Sequence, residues 1–272
     1  MYWILESNLM DFGYQVLIKT LERKKIPFLL VKVVPYTNIL VSPDFDTFAK
    51  QPEEKDNIYI DDNQKIFVFG TMGLPRIANE RNWYPGSLNS SEFDFEKWSQ
   101  GFGFHNLLNE KSKIMKFSDE INVDYNPFFI RPCEDNKAFS GQVINKQQFK
   151  EWQSVIANIN DERSKLNNET MITVAPCQEI IKEARMFVFN GKYVTGSYYK
   201  FGLKVRYEEV SDNDPIIDYT NEVVSHYQPA KAFVIDIALT DNGYKIIEIN
   251  NINSVGLYNA NVEKFVDAVM NL

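Results

Sequence analysis

The sequence predicts an α+β fold in which a small N-terminal α/β unit precedes a larger α+β unit. The first observation is a βαβ-like opening, with apolar runs at residues 2–6 and 27–34 on either side of an amphipathic stretch over about 12–25. The second is the Asn190-Gly191 pair between two apolar runs, which is a strong hairpin signal. The third is a C-terminal hairpin, in which two β-branched runs flank the turn signal Asp241-Asn242-Gly243.

The remaining elements follow from shorter signals. An apolar strand at 65–70 leads into the segment 73–75, and a helix is expected around 93–100. These elements define an N-terminal α/β domain at residues 1–110 and a second domain at residues 111–272. In the second domain we predict strands at 127–132, 142–144 and 171–175, a helix over about 146–165, hairpin strands at 184–189 and 192–200, and a terminal helix over about 261–272.

The bulk composition is that of a globular protein. The chain has 272 residues, of which 44% are hydrophobic and 24% charged, so it is long enough for a sizeable core. Its formal charge of −8 argues against non-specific binding to nucleic acid or to a membrane surface, because both need a basic face. No apolar run approaches the roughly 18 residues of a membrane span, and no basic segment precedes the first apolar residues. We therefore expect a soluble, intracellular protein.

Cysteine and histidine are too scarce for several kinds of site. Cys133 and Cys177 lie far apart without a CxxC motif, which argues against a disulfide scaffold or a structural zinc site. His105 and His226 are the only histidines, so a His-based metal site or a Ser/His/Asp triad is disfavoured, although a single histidine base remains open. Carboxylates, amides, lysines and arginines are the remaining candidates.

The C-terminal hairpin places acidic residues inside apolar strands. If its loop has three residues with Gly243 in the left-handed conformation, Asp236 lies directly opposite Glu248 and diagonal to Asn250. These three side chains then share one face, and the opposite, buried face carries Ile235, Ile237, Ile247 and Ile249. Opposed carboxylates repel each other, so the arrangement predicts a divalent cation, and all-oxygen ligands suit Mg²⁺. The alternative is an acidic, solvent-facing sheet surface without a metal.

The Asn190-Gly191 hairpin predicts a second polar face. A two-residue loop pairs Arg185 with Gly196, Glu183 with Tyr198 and Ile181 with Lys200. One face then carries Glu183, Arg185, Tyr198 and Lys200, a convergence of polar groups that is typical of a binding site. The alternative is an exposed cross-strand salt bridge worth roughly 0–1 kcal/mol.

A third candidate region surrounds Arg131, which ends an apolar strand before Pro132 and therefore needs a partner. Lys137 and Ser140-Gly141 follow in a loop whose backbone amides and ammonium group suit phosphate. The alternative is that Lys137 is a solvated loop lysine. The chain has no Walker A pattern, and Gly101-Phe-Gly103 does not continue into a dinucleotide fingerprint.

Taken together, these segments resemble the ATP-grasp superfamily over roughly residues 113–254. The segments that carry the resemblance are Phe128 to Pro132, the loop through Lys137 and Ser140-Gly141, the run Gln178 to Arg185, and Asp236 with Glu248-Ile-Asn250. Most members carry lysine where Arg131 stands, and this departure resembles a clade of phages and bacteria distinguished by two arginines and a lysine. The resemblance assigns the arginines to Arg131 and Arg185. It leaves the lysine open between Lys137, Lys200 and one near Lys113 or Lys116.

The resemblance implies two α+β subdomains, about 111–177 and 178–272, that grip ATP between them. It implies Mg²⁺ ligands at Asp236, Glu248 and Asn250, and catalytic roles for Arg131, Arg185 and Lys200. It implies nucleotide contacts from Arg131, Lys137, Ser140, Gln178, Glu179, Ile180 and Glu183, with residues 178–180 along adenine and Glu183 at the ribose.

The function implied is an ATP- and Mg²⁺-dependent, ADP-forming carboxylate–amine ligase that works through an acyl phosphate. Its partners would be small-molecule or peptide carboxylates and amines, and its place the cytoplasm, or the host cytoplasm if a phage encodes it. The alternatives are an ATP-grasp kinase and a non-catalytic nucleotide-binding module. The aromatic stretch 83–98 is a candidate wall of the substrate cleft, with ordinary packing as the alternative.

Overall fold

The computed structural model describes residues 1–7, 12–47, 49–134, 138–158 and 164–272, which form three β-sheets and six α-helices. The mixture of helices and sheets agrees with the predicted α+β class. The sheets follow one another along the chain, within residues 2–86, 113–176 and 182–251. We keep the division near residues 110 and 177 as a proposal. Of the helices in the described residues, none is long and apolar enough to cross a membrane.

The first sheet is mostly parallel. Its strands are β1 (Tyr2–Glu6), β2 (Phe28–Val33), β3 (Leu40–Val41), β4 (Ile66–Phe69) and β5 (Pro85–Gly86), in the order β3-β2-β1-β4-β5. β1 pairs in parallel with both β2 and β4, and helix α1 (Phe12–Lys24) connects β1 to β2 as the βαβ-like opening predicts. Helix α2 (Gly73–Glu80) follows β4 and is not among the predicted elements. It is short, and its Pro75 is tolerated because it lies in the first turn.

The second sheet is antiparallel and follows helix α3 (Phe95–Phe102), which lies close to the predicted position. Its strands are β6 (Lys113–Lys116), β7 (Phe128–Pro132), β8 (Gln142–Ile144) and β9 (Met171–Pro176), in the order β6-β9-β7-β8. Helix α4 (Lys146–Ala157) covers it and ends earlier than expected. Asn158 ends the helix, because asparagine is a weak helix former and its amide donates to the Ser154 carbonyl.

The third sheet is antiparallel and carries both predicted hairpins. Its strands are β10 (Lys182–Phe189), β11 (Lys192–Phe201), β12 (Lys204–Glu209), β13 (Ala232–Thr240) and β14 (Gly243–Asn251), in the order β12-β11-β10-β13-β14. Helix α5 (Pro215–His226) lies between β12 and β13 in the chain, and helix α6 (Val262–Met270) follows β14. β12 and α5 are not among the predicted elements.

The register of the β10–β11 hairpin departs from the prediction away from its turn. Phe189 pairs with Lys192, as a two-residue loop requires. β11 then contains extra residues, so Arg185 lies opposite Ser197, and the predicted pairing with Gly196 is wrong. β-Bulges of this kind displace every pair beyond them.

A second bulge on β11 overturns the other two predicted pairs. Glu183 lies opposite Lys200 instead of Tyr198, so Lys200 is not the partner of Ile181. The pairing skips Tyr199, whereas Tyr198 lies opposite Ala184 and is only 6% exposed among the core side chains.

The β13–β14 hairpin has the predicted register at its acidic positions. Asp236 pairs with Glu248, and Gly243 has the expected positive φ of 88°. A bulge at Ile247 shifts the pairs nearer the turn, so Ile246 fills the core position that was predicted for Ile247. Ile247 is only partly buried as a result.

The first and third sheets share one apolar core. Trp3 of β1 and Phe187 of β10 both contact the Phe265 ring of α6, with ring centroids 6.3 and 5.5 Å from it. Two surface ion pairs, Arg23–Glu263 and Lys24–Asp267, also link α1 to α6. This core brings the carboxyl end of the parallel sheet next to the end of β14.

Asn253, which is fully buried, fastens that junction. Its side-chain amide donates to the carbonyls of Val68 (2.7 Å) and Gly86 (3.0 Å), and its Oδ1 accepts from the Leu88 amide at 2.8 Å. Its own carbonyl accepts from the Gly70 amide at 2.8 Å. One side chain thus satisfies main-chain groups from three separate segments.

Asn253→Ala should lower the free energy of unfolding by about 3 kcal/mol, since each buried main-chain group left without a partner costs about 1–3 kcal/mol. Urea denaturation measures the change. Asn259→Ala, which removes an exposed amide a few residues away, is the matched control and should change stability by less than about 0.5 kcal/mol. Equal stability of the two variants would contradict the role assigned to Asn253.

Candidate functional site

Three adjacent strands of the third sheet place charged side chains in one row. Arg185 of β10 lies opposite Asp236 of β13, which in turn lies opposite Glu248 of β14. Glu183, two residues before Arg185, faces the same side of the sheet. The row therefore alternates acidic and basic groups, and it lies on the sheet face that also packs against α6.

Arg185 and Asp236 form a buried bidentate ion pair. Arg185 Nε lies 2.9 Å from Asp236 Oδ1, and Nη2 lies 2.8 Å from Oδ2. Arg185 is 8% exposed and Asp236 2%. Burial raises the pKa of the Asp236 carboxyl, and Arg185 opposes that shift. Burial also acts to lower the pKa of Arg185, but the Asp236 charge outweighs it and the net shift is upward, so the guanidinium remains protonated.

Arg131 reaches from the second sheet to the third. Its Nη2 lies 3.3 Å from Glu248 Oε2, and its Nη1 donates to the Ile247 carbonyl at 3.3 Å. The bulge at Ile247 leaves that carbonyl available, because the residue is skipped in the strand pairing. The guanidinium also lies over the rings of Phe95 and Trp98, each 5.9 Å away, within the range of cation–π attraction. The partner that a charge at the end of an apolar strand requires is thus supplied by β14.

Both oxygens of Glu183 have partners on β11. Lys200 Nζ lies 2.6 Å from Oε1, and the Tyr199 hydroxyl donates to Oε2 at 2.9 Å. Of the predicted polar face, Glu183, Arg185 and Lys200 lie as expected, whereas Tyr198 turns into the core and bonds Asp214. Tyr199 takes its place because it is the bulged residue, which no alternation rule assigns to this face.

A stack of tyrosines holds Arg185 from the other side. The Tyr258 ring lies 5.1 Å from both Tyr199 and Tyr207, and the Arg185 guanidinium lies 5.0 Å from it. Tyr258 has a φ of 50°, which is uncommon for a side chain larger than glycine and is often found at functional sites. Nearby, the Gly256 carbonyl accepts from Arg185 Nη1 at 3.4 Å. Sequence reasoning missed Tyr258 because it follows the last strand, where periodicity gives no signal.

The other candidate nucleotide contacts lie between the second and third sheets. Gln178, Glu179 and Ile180 form the link from β9 to β10, in which the first two are exposed. Ser140 is also exposed, next to Gly141. A Cβ at Gly141 would lie 2.7 Å from the Phe129 ring, so the loop returns closely over β7.

The lysine candidates differ in their surroundings. Lys137 lies outside the described residues. Lys116 pairs with Glu169 at 2.6 Å, and Lys113 donates to the Asn122 carbonyl at 3.1 Å, both at the edge of the second sheet. Lys200 contacts Glu183 in the charged row.

The donor chemistry at the end of the row fits Mg²⁺ in part. Glu248 and Asn250 supply oxygens side by side, with Asn250 Nδ2 donating to Glu248 Oε1 at 3.1 Å. Asp236 differs because Arg185 engages both of its oxygens. Within the described part of the chain, no three His, Cys, Asp or Glu side chains group closely enough to hold a metal. The repulsion expected between Asp236 and Glu248 is relieved by an arginine at each carboxylate.

The aromatic stretch 83–98 mostly packs internally. Trp83 lies in the core between the first sheet and α2, and its indole donates to Asp62. Phe95 and Trp98 lie in the core of the third sheet, with ring centroids 5.0 Å apart. Their contact with Arg131 is the one link of this stretch to the charged row that we identify.

Comparison with known families agrees with this geometry. Residues 110–268 match a family model of the ATP-grasp domain, family 2 of the clade named for its two arginines and one lysine. The chain belongs to this family. No curated protein sequence matches it significantly.

Solved structures with the same fold include several ATP-grasp enzymes. D-cycloserine synthetase DcsG matches with a TM-score of 0.60 and 8% identity, over 100% of this chain and 99% of that one. D-alanine–D-alanine ligase from Bacillus anthracis, complexed with ATP, matches with a TM-score of 0.55 and 12% identity, over 99% and 92%. ATP-grasp ligase PsnB with a minimal precursor matches with a TM-score of 0.54 and 10% identity, over 99% and 98%.

These matches confirm the predicted ATP-grasp fold and the resemblance to the two-arginine clade. At identities this low, the structural likeness itself shows the fold alone. The predicted class, an ATP-dependent ligase of the ATP-grasp type, agrees with the family and with the synthetase and ligases among its structural neighbours.

Asp236→Asn should lower the free energy of unfolding by about 3 kcal/mol, because breaking a buried ion pair leaves the Arg185 charge uncompensated. Glu248→Gln is the matched control, since its side chain is 30% exposed, and should cost about 1 kcal/mol or less. Chemical denaturation of both variants measures the difference. If Asp236→Asn were as stable as the unmodified protein, the ion pair would not be a structural element.

Proposed function

We propose that this ATP-grasp protein is an ATP- and Mg²⁺-dependent, ADP-forming carboxylate–amine ligase that acts through an acyl phosphate. The observation that carries the proposal is the contact of Arg131 in one sheet with Glu248 in another. It sets a cation and the oxygen donors at the end of β14 on opposite sides of a cleft, an arrangement suited to a metal-bound polyphosphate. The ATP complex of the Bacillus anthracis ligase and the complex of PsnB with Mg and ADP support this assignment.

Each residue of the row has a proposed task. Glu248 and Asn250 hold Mg²⁺, which when bound supplies charge neutralisation at the phosphates. Arg131 binds a phosphate oxygen with its planar fork, where lysine would offer a point charge. Glu183 accepts ribose hydroxyls, and Lys200, its ion-pair partner, is the proposed lysine of the clade. Residues 178–180 run along adenine, and Lys137 and Ser140 remain proposed phosphate contacts.

Arg185 has a different task because Asp236 and Tyr258 fix it in place. Nη1 is directed away from the carboxylate, toward the Gly256 carbonyl. We assign Arg185 to the carboxylate substrate and its acyl phosphate, and Asp236 to Arg185 first. Whether Asp236 also ligates Mg²⁺ depends on its sharing lone pairs with the guanidinium.

The chemistry requires little from side chains beyond charge and position. A substrate carboxylate oxygen attacks the γ-phosphorus of ATP and ADP leaves. The amine then attacks the acyl carbon, inorganic phosphate leaves, and the amine loses a proton to solvent or phosphate. Arginines that stabilise the developing negative charge suit both steps, and no histidine or cysteine is needed. Small-molecule or peptide carboxylates and amines are the proposed substrates, and the cytoplasm is the proposed location, that of the host if the gene is phage-borne.

The protein should form ADP when incubated with ATP, Mg²⁺ and pooled amino acids and short peptides. Hydroxylamine should divert the reaction to a hydroxamate, because it captures an acyl phosphate. ADP without hydroxamate would instead favour the kinase alternative. Binding of ATP without turnover on broad panels would favour a non-catalytic module, and failure to bind ATP in calorimetry would contradict the whole proposal.

Glu248→Gln should reduce ADP formation at least about 10-fold and raise the Mg²⁺ concentration needed for half-maximal rate, as changes around metal sites typically do. Glu222→Gln, an exposed carboxylate on α5, is the control and should leave both quantities unchanged. Equal Mg²⁺ dependence of the two variants would remove Glu248 from the metal site.

A further inference from the structure

The carboxyl end of the first sheet has the topology of a ligand crevice. β1 is followed by β2 on one side, whereas the later strand β4 lies on its other side. The helices that follow β1 and β4 cover opposite faces, because α1 contributes to the core shared with the third sheet and α2 to the separate core beneath it. Open α/β sheets bind ligands at this kind of switch point, outside the carboxyl ends of the strands.

Glu6 ends β1 at this switch point and is 6% exposed. Its Oε2 accepts a hydrogen bond from the Thr71 amide at 2.7 Å. In the described part of the chain, Glu6 forms no ion pair and its Oε1 accepts no hydrogen bond. A nearly buried carboxylate with a single hydrogen bond and no cation is costly unless something else compensates it.

The chain at the end of β4 is adapted to this carboxylate. A Cβ at Gly70 would lie 2.8 Å from both Glu6 Cβ and Glu6 Oε2. Any side chain at position 70 would therefore displace the carboxylate. The close fit indicates that Glu6 is held in place and not merely turned away from solvent.

The crevice adjoins the proposed ligase site. The Gly70 amide donates to the Asn253 carbonyl at 2.8 Å, and the amide of Asn251 lies 4.0 Å from the Met72 sulfur. Both asparagines belong to the segment that directly follows Asn250, a proposed Mg²⁺ ligand. In the same segment, the Ser254 hydroxyl is buried without a hydrogen-bond partner.

We propose that Glu6 binds the ammonium group of the substrate, which is a compound with a primary amine, either a free amino acid or the amino terminus of a peptide. This inference rests on the proposed ligase function and names the chemistry of its substrate. With Oε2 occupied by Thr71, Oε1 offers a single acceptor, which suits an ammonium better than a guanidinium that needs both oxygens. The Ser254 hydroxyl supplies a second polar contact from the segment after Asn250.

A purely structural role for Glu6 is the competing explanation. Its carboxylate caps the turn before α2 through the Thr71 amide, and that bond alone would justify a buried acceptor. Glu6→Gln separates the two roles, since the carboxamide oxygen still accepts from Thr71 while the charge is lost. Glu22→Gln, an exposed position on α1, is the matched control.

The test is saturation-transfer NMR of the full chain with pooled amino acids, glycylglycine and the N-acetyl form of each. Signals should appear for the amine-bearing compounds, and N-acetylation or Glu6→Gln should weaken binding about 30-fold or more, the loss expected for one partner of a buried charge pair. Glu22→Gln should bind as the unmodified protein does. Preference for amino acids or for glycylglycine identifies the source of the ammonium.

The outcome does not depend on turnover. Equal binding by Glu6→Gln, equal binding of the N-acetyl compounds, or no binding of any amine would overturn the assignment of Glu6. ATP binding, measured by calorimetry, should be the same in Glu6→Gln and the unmodified protein. Loss of ATP binding in the unmodified protein would contradict the ligase proposal separately. Urea denaturation of Glu6→Gln shows whether its fold is intact, and Glu6→Asp should recover part of the affinity if the charge is what matters.

Discussion

The ion pair between Arg185 and Asp236 is the constraint on which the charged row depends. Two charges withdrawn from water at the centre of a five-stranded sheet are tolerated because both carboxylate oxygens meet the guanidinium fork. The pair then fixes its surroundings, since Arg185 supports the Tyr258 ring and bonds the Gly256 carbonyl. Glu248 and Asn250 lie beside a site already neutralised, so a cation there would not be needed to hold the sheet together.

Two β-bulges decide which groups reach the cleft. The bulge at Tyr199 turns a hydroxyl toward Glu183, and the bulge at Ile247 presents a carbonyl to Arg131. Each bulge gives up regular pairing at one residue and directs a polar atom where a regular strand would have placed none. The shared core around Phe265 then holds the third sheet against the first, so the cleft and the switch point lie at one junction.

Sequence reasoning succeeded where local rules act alone. The turn at Gly243 fixed the Asp236–Glu248 pairing, and the apolar strand ending in Arg131 correctly required a partner elsewhere. It failed at Arg185–Gly196 and at Tyr198, because bulges change strand register without a signal in the apolar pattern. Tyr258 was missed because its place depends on a left-handed backbone that only tertiary contacts stabilise. Glu6 was missed because a glutamate at a strand end is ordinary until its burial is known.

The position of Arg131 has an optical consequence. Its guanidinium lies between the acidic end of β14 and the Trp98 indole, which is 1% exposed. A positive charge at 5.9 Å perturbs the excited state of an indole, and the surrounding core excludes the solvent that would otherwise dominate its emission. Any anion that draws the guanidinium away from the ring changes that perturbation. The chain thus contains a built-in fluorescent reporter of cleft occupancy, at a residue that need not touch the ligand.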